Sequence, residues 1–151
     1  AALAYFAGRG LAVEFKTPLG VLRLDRTAAA DIAEQGGGDQ CRLRFRRAGA
    51  QELNLAQQST LRTGDAVYEL AAYVGGQKLG GFDGALIAAV PYSGALPAGA
   101  WRLDESGKRE AVQSSNANGV LRFTAGRFSF FAVGRGAWPP ADANTPWYYV
   151  R

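Results

Sequence analysis

Residues 120–134 read VLRFTAGRFSFFAVG, and this stretch decides the fold class. Apolar and polar side chains alternate in VLRFTA (120–125), Gly126 and Arg127 interrupt the pattern, and FSFFAVG (128–134) follows. Alternation with a period of two is typical of β-strands, and the break between them indicates a turn. We therefore predict two consecutive strands, with Phe128 and Phe130 on one face and Phe131 on the other.

Short strands separated by turns continue upstream. The pattern predicts two strands within 11–25 and further strands at 40–47, 66–74, 85–92, 101–103 and 109–113. Because 85–92 is a nearly continuous apolar run, we expect it to be buried on both faces. Thr27 is the expected N-cap of one short helix of about two turns, and 50–64 is expected to be a loop or one helical turn. The most buried side chains should include Leu86, Ile87, Val90, Phe123, Phe128, Phe130 and Val133.

Strands at this spacing favour an immunoglobulin-like antiparallel β-sandwich with one short helix, and a barrel is the main alternative. We expect the sandwich to occupy residues 11–134. Residues 1–10 would then be an N-terminal contact segment or linker, and 135–151 a Pro- and aromatic-rich strap or linker. No run of 18 or more apolar residues occurs, so no transmembrane segment is expected.

The chain contains no histidine and a single cysteine, Cys41. It therefore lacks the usual general base, the Ser-His and Cys-His nucleophile pairs and the commonest metal ligand. We predict that it is not an enzyme and needs no cofactor. Calcium is the one ion that backbone carbonyls and aspartates alone could hold, and Asp39, Asp65 and Asp83 are the positions where we would expect it.

Arginine supplies most of the positive charge, and 17 Lys+Arg against 13 Asp+Glu leave a net charge of +4. Arg42, Arg44 and Arg46 would form a row on one strand face at a spacing of about 6.6 Å. Such a row could meet the phosphates or carboxylates of a polymer such as an acidic wall polymer. It could equally be a solvated face or a charged strand edge, which is the interpretation we favour. No nucleic-acid partner is expected, because basic and aromatic residues are not interleaved.

Aromatic residues gather near the C-terminus as Trp138, Trp147, Tyr148 and Tyr149, and Trp101 opens a predicted hairpin. Exposed aromatic faces stack on sugars, and the alternative role for these rings is to pack over a sheet. We favour packing, and we expect the two ends of the chain to contact another domain or another copy.

Three stretches carry a family resemblance: GGFDGALIAAVPY (80–92), WRLDESGKREAV (101–112) and LRFTAGRFSFFAVG (121–134). Together they resemble an accessory module of bacterial surface proteins that recurs beside S-layer-homology repeats and in other secreted proteins. Arg127 stands where that module usually has histidine. The resemblance implies a location outside the cell or on the bacterial cell surface, and it implies no catalytic residues.

Two functions follow as expectations. The first is a structural or interaction module whose partners are neighbouring surface-protein domains or copies of itself. The alternative is a carbohydrate-binding module of a secreted enzyme, which would bind cell-wall or plant polysaccharide through exposed Trp and Tyr faces.

Overall fold

The computed structural model describes residues 11–37 and 41–136, and predictions made for residues 1–10, 38–40 and 137–151 lie outside this part. Within it, eleven strands, two α-helices and one 3-10 turn follow one another. The strands are β1 (Val13–Thr17), β2 (Gly20–Leu24), β3 (Cys41–Ala48), β4 (Ala66–Val74), β5 (Gln77–Lys78), β6 (Leu86–Pro91), β7 (Ala98–Leu103), β8 (Arg109–Val112), β9 (Ser114–Ala117), β10 (Val120–Ala125) and β11 (Ser129–Arg135). The helices are α1 (Arg26–Gly36) and α2 (Leu55–Gln58), and the 3-10 turn spans Ala50–Glu52.

The strands form two antiparallel sheets. Sheet 1 has the order β1-β2-β6-β10-β9, and sheet 2 has the order β3-β4-β11-β7-β8, with β5 paired to β4. Side chains from both sheets share one core, in which the ring centroids of Phe123 and Phe131 lie 5.2 Å apart. The predicted mostly antiparallel β-sandwich is confirmed, while an immunoglobulin-like connectivity stays a prediction.

Helix α1 is longer than predicted and begins elsewhere. Its N-cap is Asp25 rather than Thr27, because the Asp25 carboxylate accepts hydrogen bonds from the Ala28 amide at 2.7 Å and from the Ala85 amide at 3.0 Å. One side chain thus caps the helix and ties it to the start of β6. The helix ends at Gly37 in the left-handed conformation, φ 62°, as the glycine run predicts.

Strand β6 is buried on one face only, which corrects the prediction that both faces are buried. Leu86 and Val90 are fully buried as predicted, but Ile87 is 38% exposed. The side chains alternate because sheet 1 packs against sheet 2 on one side only. A continuous apolar run therefore does not distinguish one buried face from two.

The predicted arrangement of the three phenylalanines before and within β11 is also wrong. Phe128 lies in the bend before the strand and packs against the main core, with its ring centroid 4.8 Å from that of Phe82. Phe130 packs on the opposite side of sheet 2, and both rings are only partly buried. Phe131 is the fully buried ring of the three. The bend at 126–128 breaks the alternation, so that Phe128 and Phe131 serve the same core.

Residues 49–65 cover part of the outer face of sheet 2. Leu53 and Leu61 of this segment contact Val67 and Ala132, forming a second, smaller hydrophobic cluster on that face. The rest of the outer face has no such cover among the described residues. Neither helix in residues 11–37 and 41–136 is long and apolar enough to cross a membrane.

Candidate functional site

The predicted arginine row lies on the outer face of β3, which is an edge strand of sheet 2. Leu43 and Phe45 point inward and pack against the core, as the alternation predicts. Across the sheet, Arg42 is opposite Tyr73, and Arg46 is opposite Glu69. The row therefore faces solvent beside β4.

Glu69 divides the row into paired and unpaired arginines. It is 4% exposed, and its Oε1 lies 2.7 Å from Arg44 Nη2 and 2.9 Å from Arg46 Nε. Arg46 Nη1 also lies 2.6 Å from Glu52 Oε1. Arg42 is exposed, and no carboxylate of the described residues lies within ion-pair distance of it. A buried carboxylate needs such partners, so these ion pairs serve the fold first.

Glu52 connects this network to the covering segment. Its Oε2 accepts a hydrogen bond from the Gly49 amide at 2.7 Å. That hydrogen bond, followed by the Arg46 guanidinium, lowers the pKa of Glu52 below its usual range. The pKa of Arg46 is raised, first by its hydrogen bond to Glu52. Arg46 therefore fastens the 3-10 turn to the sheet.

Two concavities lie side by side where the cover ends. The larger is a cleft of about 730 Å³. Its lining includes Glu69, Phe130, Lys78, Arg127 and residues of the 52–57 segment. The smaller, about 480 Å³, is lined by Arg42, Leu43, Arg44, Tyr73 and Gly76. Lys78 is the cross-strand partner of Tyr73, so the two concavities adjoin. Glu69 and Tyr73 lie four residues apart on the same face of β4, a separation of about 13 Å.

Positive charge predominates in the open part of this surface. Two carboxylates that line the cleft already have partners within the protein. Glu52 forms an ion pair with Arg46. Asp104 accepts hydrogen bonds from the Ser106 hydroxyl at 2.7 Å and from the Lys108 amide at 2.8 Å. Hydrogen bonds from Ser106 and then Lys108 lower the pKa of Asp104. We define the open face as Arg42, Arg44, Tyr73, Lys78 and Arg127. The acids near its four cations are the buried Glu69 and the exposed Glu105 and Glu110, and the pKa of Glu110 is lowered first by its hydrogen bond from Arg102 and also by Arg127.

Trp101 is enclosed rather than exposed. It is 4% exposed, and the guanidinium carbons of Arg109 and Arg62 lie 4.6 and 5.3 Å from its ring centroid. Arg109 Nη1 also lies 2.8 Å from Asp65 Oδ2, which fixes one of these guanidinium groups. The ring face that a sugar would need is therefore occupied by protein.

The remaining candidate residues are placed as follows. Trp138, Trp147, Tyr148 and Tyr149 lie outside the described residues. Cys41 is half-buried, and burial raises the pKa of its thiol, which lowers its reactivity. Among the described residues, no three His, Cys, Asp or Glu side chains are grouped so as to hold a metal ion.

Sequence reasoning missed Glu69, Tyr73 and Lys78. One signal for Glu69 was available: it is the single charged residue in the otherwise apolar strand AVYELAAYV. A lone acid in such a strand requires a cationic partner. Which arginine supplies it depends on the strand register, which the sequence does not specify.

A comparison of this chain with models of protein families, with curated proteins and with solved structures finds no match. The function must therefore be argued from the surface itself.

Proposed function

We propose that the chain is a non-catalytic interaction module of a bacterial extracellular or cell-surface protein, and that its open face binds an acidic polymer of the cell wall. The observation that carries this proposal is the pairing pattern around Glu69. The buried carboxylate uses Arg46 and part of Arg44, while Arg42 and Lys78 remain directed to solvent beside two adjoining concavities.

The geometry suits an extended anion better than a small one. The cations of the open face are spread over β3, β5 and the bend at 127, rather than converging on one point. Arginine forks pair with carboxylates or phosphates, and several weak exposed pairs add up only on a repeating ligand. Strand β3 carries the arginine row and β4 carries Tyr73. Both belong to sheet 2, whose hydrogen bonds fix the spacing of these side chains.

The arrangement also supports a non-catalytic role. The side chains of Glu69 and Asp65 are buried and form ion pairs with arginines. Among the described residues, the side-chain hydrogen bonds to these two carboxylates come from Arg46 and Arg109, not from a hydroxyl or a thiol. The surface location rests on the resemblance of 80–134 to the accessory module named above.

Affinity electrophoresis tests the proposal, with polygalacturonate and poly(glycerol phosphate) as acidic polymers and a neutral β-glucan for comparison. Wild-type protein should be retarded by the acidic polymers and released by salt, because exposed charges are screened. The variant Arg42→Ala/Lys78→Ala should lose most of the retardation.

The matched control is Lys16→Ala/Arg122→Ala, which removes the same two charges from the outer face of sheet 1. Equal losses in both double variants would mean that net charge alone attracts the polymer, and the proposal would be wrong. Retardation by the neutral glucan would instead favour the carbohydrate-binding alternative.

A further inference from the structure

Three chain connections meet at the end of the sandwich opposite α1. Pro91 at the end of β6 pairs with Val120, and the Tyr92 amide donates to the Gly119 carbonyl at 2.8 Å. The β1–β2 turn reaches the same place, because Gly20 packs directly against the Ala89 carbonyl. The β6–β7 connection is held by the Tyr92 hydroxyl, which donates to the Ala95 carbonyl at 2.6 Å.

These connections carry no charged side chain. We call residues 17–20, 91–97 and 117–119 the uncharged end, and none of them is Asp, Glu, Lys or Arg. Leu96 is 67% exposed at this end, and Pro18, Pro91 and Pro97 are exposed with it. Leu96 and the three prolines therefore supply exposed apolar surface at this end.

Cations surround the uncharged end at a short distance behind it. Lys16 and Arg122 lie in one cross-strand row of sheet 1, the row next to Pro91 and Val120. On sheet 2, Arg135 pairs with Ala98 beside the β6–β7 connection and is exposed.

The exposed carboxylates are distributed differently. Asp65, close to the uncharged end, is bound to Arg109 and its side chain is 2% exposed, and the exposed Glu14 lies two residues from Lys16 on β1. The exposed acids Asp25, Glu34, Asp83 and Glu105 lie around α1 and the turns at the other end of the sandwich, together with the exposed cations Arg26, Lys78, Lys108 and Arg127. The sandwich is therefore polarised, with cations around the uncharged end and mixed charge at the other end.

From this polarity we infer that the uncharged end binds the surface of an anionic lipid bilayer, a site separate from the open face. The order of apolar and cationic groups at this end matches the order of layers in a bilayer. Leu96 and the prolines would enter the boundary of the acyl chains, while Lys16, Arg122 and Arg135 would meet the headgroups. A second copy would bring two rims of like charge together, which argues against self-association through this end. The inference does not depend on the proposed function.

Co-sedimentation with vesicles tests the inference, using equal parts of phosphatidylglycerol and phosphatidylcholine, and phosphatidylcholine alone. The protein should bind the anionic vesicles and not the neutral ones. Leu96→Asp should reduce binding at least tenfold, and its melting temperature should stay unchanged because the side chain is exposed. Lys16→Ala/Arg122→Ala should lose about fivefold for each cation removed.

The control for vesicle binding is Arg42→Ala/Lys78→Ala, which should bind the anionic vesicles like wild type. Equal loss in both double variants, undiminished binding by Leu96→Asp, or no preference for phosphatidylglycerol would each overturn the inference. Binding lost only in the Lys16 and Arg122 variant, with Leu96→Asp unaffected, would point to an acidic protein surface instead and would also overturn it. Each double variant is the test in one assay and the control in the other. A failure of vesicle binding can therefore be distinguished from a failure of polymer binding.

Discussion

Replacing Glu69 with glutamine should weaken the fold and strengthen polymer binding in the same protein. Glu69 holds Arg44 and Arg46 at 2.7 and 2.9 Å, and the amide that replaces it keeps the shape but loses the charge. The fold would lose the ion pair with Arg44 and the charge of the hydrogen bond that Arg46 Nε donates, whereas the open face would gain an unpaired Arg44.

The loss of stability depends on the burial of Glu69 and on the exposure of its two arginine partners. Hydrogen bonds to charged groups are worth about 1.5–3 kcal/mol each when buried. The side chains of Arg44 and Arg46 are 44% and 34% exposed, so solvent screens both pairs and the value must be reduced. We expect a loss of about 1–2 kcal/mol, and a melting temperature lower by about 3–6 °C.

The gain in binding is set by what Arg44 can contribute at an exposed site. An exposed ion pair is worth up to about 1 kcal/mol, so the affinity for polygalacturonate should rise by up to about fivefold at low salt. Thermal melts by circular dichroism and isothermal titration calorimetry measure the two quantities. Glu14→Gln on sheet 1 makes the same change in net charge at an exposed position and should alter neither.

Two results would refute this reasoning. Equal gains in affinity for Glu69→Gln and Glu14→Gln would show that the polymer responds only to net charge. Weaker binding by a folded Glu69→Gln protein would show that the paired arrangement of Arg44 and Arg46 is itself the binding surface.

Three further predictions concern the sandwich itself. Gly134→Ala should lower the unfolding free energy by about 1–3 kcal/mol, because the added Cβ would overlap the buried carboxylate of Asp65, and a thermal melt unchanged from wild type would contradict this. Leu86→Ala should cost about 2–5 kcal/mol in urea unfolding, whereas Ile87→Ala should cost less than about 1, and similar losses would mean that Ile87 is buried. Because the folded pKa of Glu52 is lowered, its stabilisation is present above the ordinary value of about 4.3 and is lost as pH falls through the lower folded value. The melting temperatures of wild type and Glu52→Gln should therefore differ at neutral pH and converge in acid, and a constant difference would exclude this linkage.

Much of the fold could be predicted from the sequence, because strand alternation and turn residues are local signals. AVYELAAYV and VLRFTA become strands with the predicted bounds, and the turn containing Gly107 forms with φ 87°. Strand β9 was missed because SSNA has no apolar alternation, and its place depends on pairing with β10. The burial of Ile87 was overestimated because the number of covered faces is a tertiary property.

Half of the candidate site was also predictable. The alternation of β3 places Arg42, Arg44 and Arg46 on one outward face, as expected. Which arginines are neutralised follows only from the register that sets Glu69 opposite Arg46, and the two concavities follow from where residues 49–65 stop covering the sheet. Neither feature leaves a local pattern in the sequence.

The most direct test of polymer binding is a titration of ¹⁵N-labelled protein with polygalacturonate fragments, followed by amide chemical shifts. We predict that the shifts concentrate on Arg42, Arg44, Tyr73, Lys78 and Arg127, saturate, and disappear at high salt, while amides of β1 and β10 on sheet 1 stay unchanged. Shifts spread evenly over both sheets, or confined to the face that carries Lys16 and Arg122, would contradict the assignment of the open face as the binding surface.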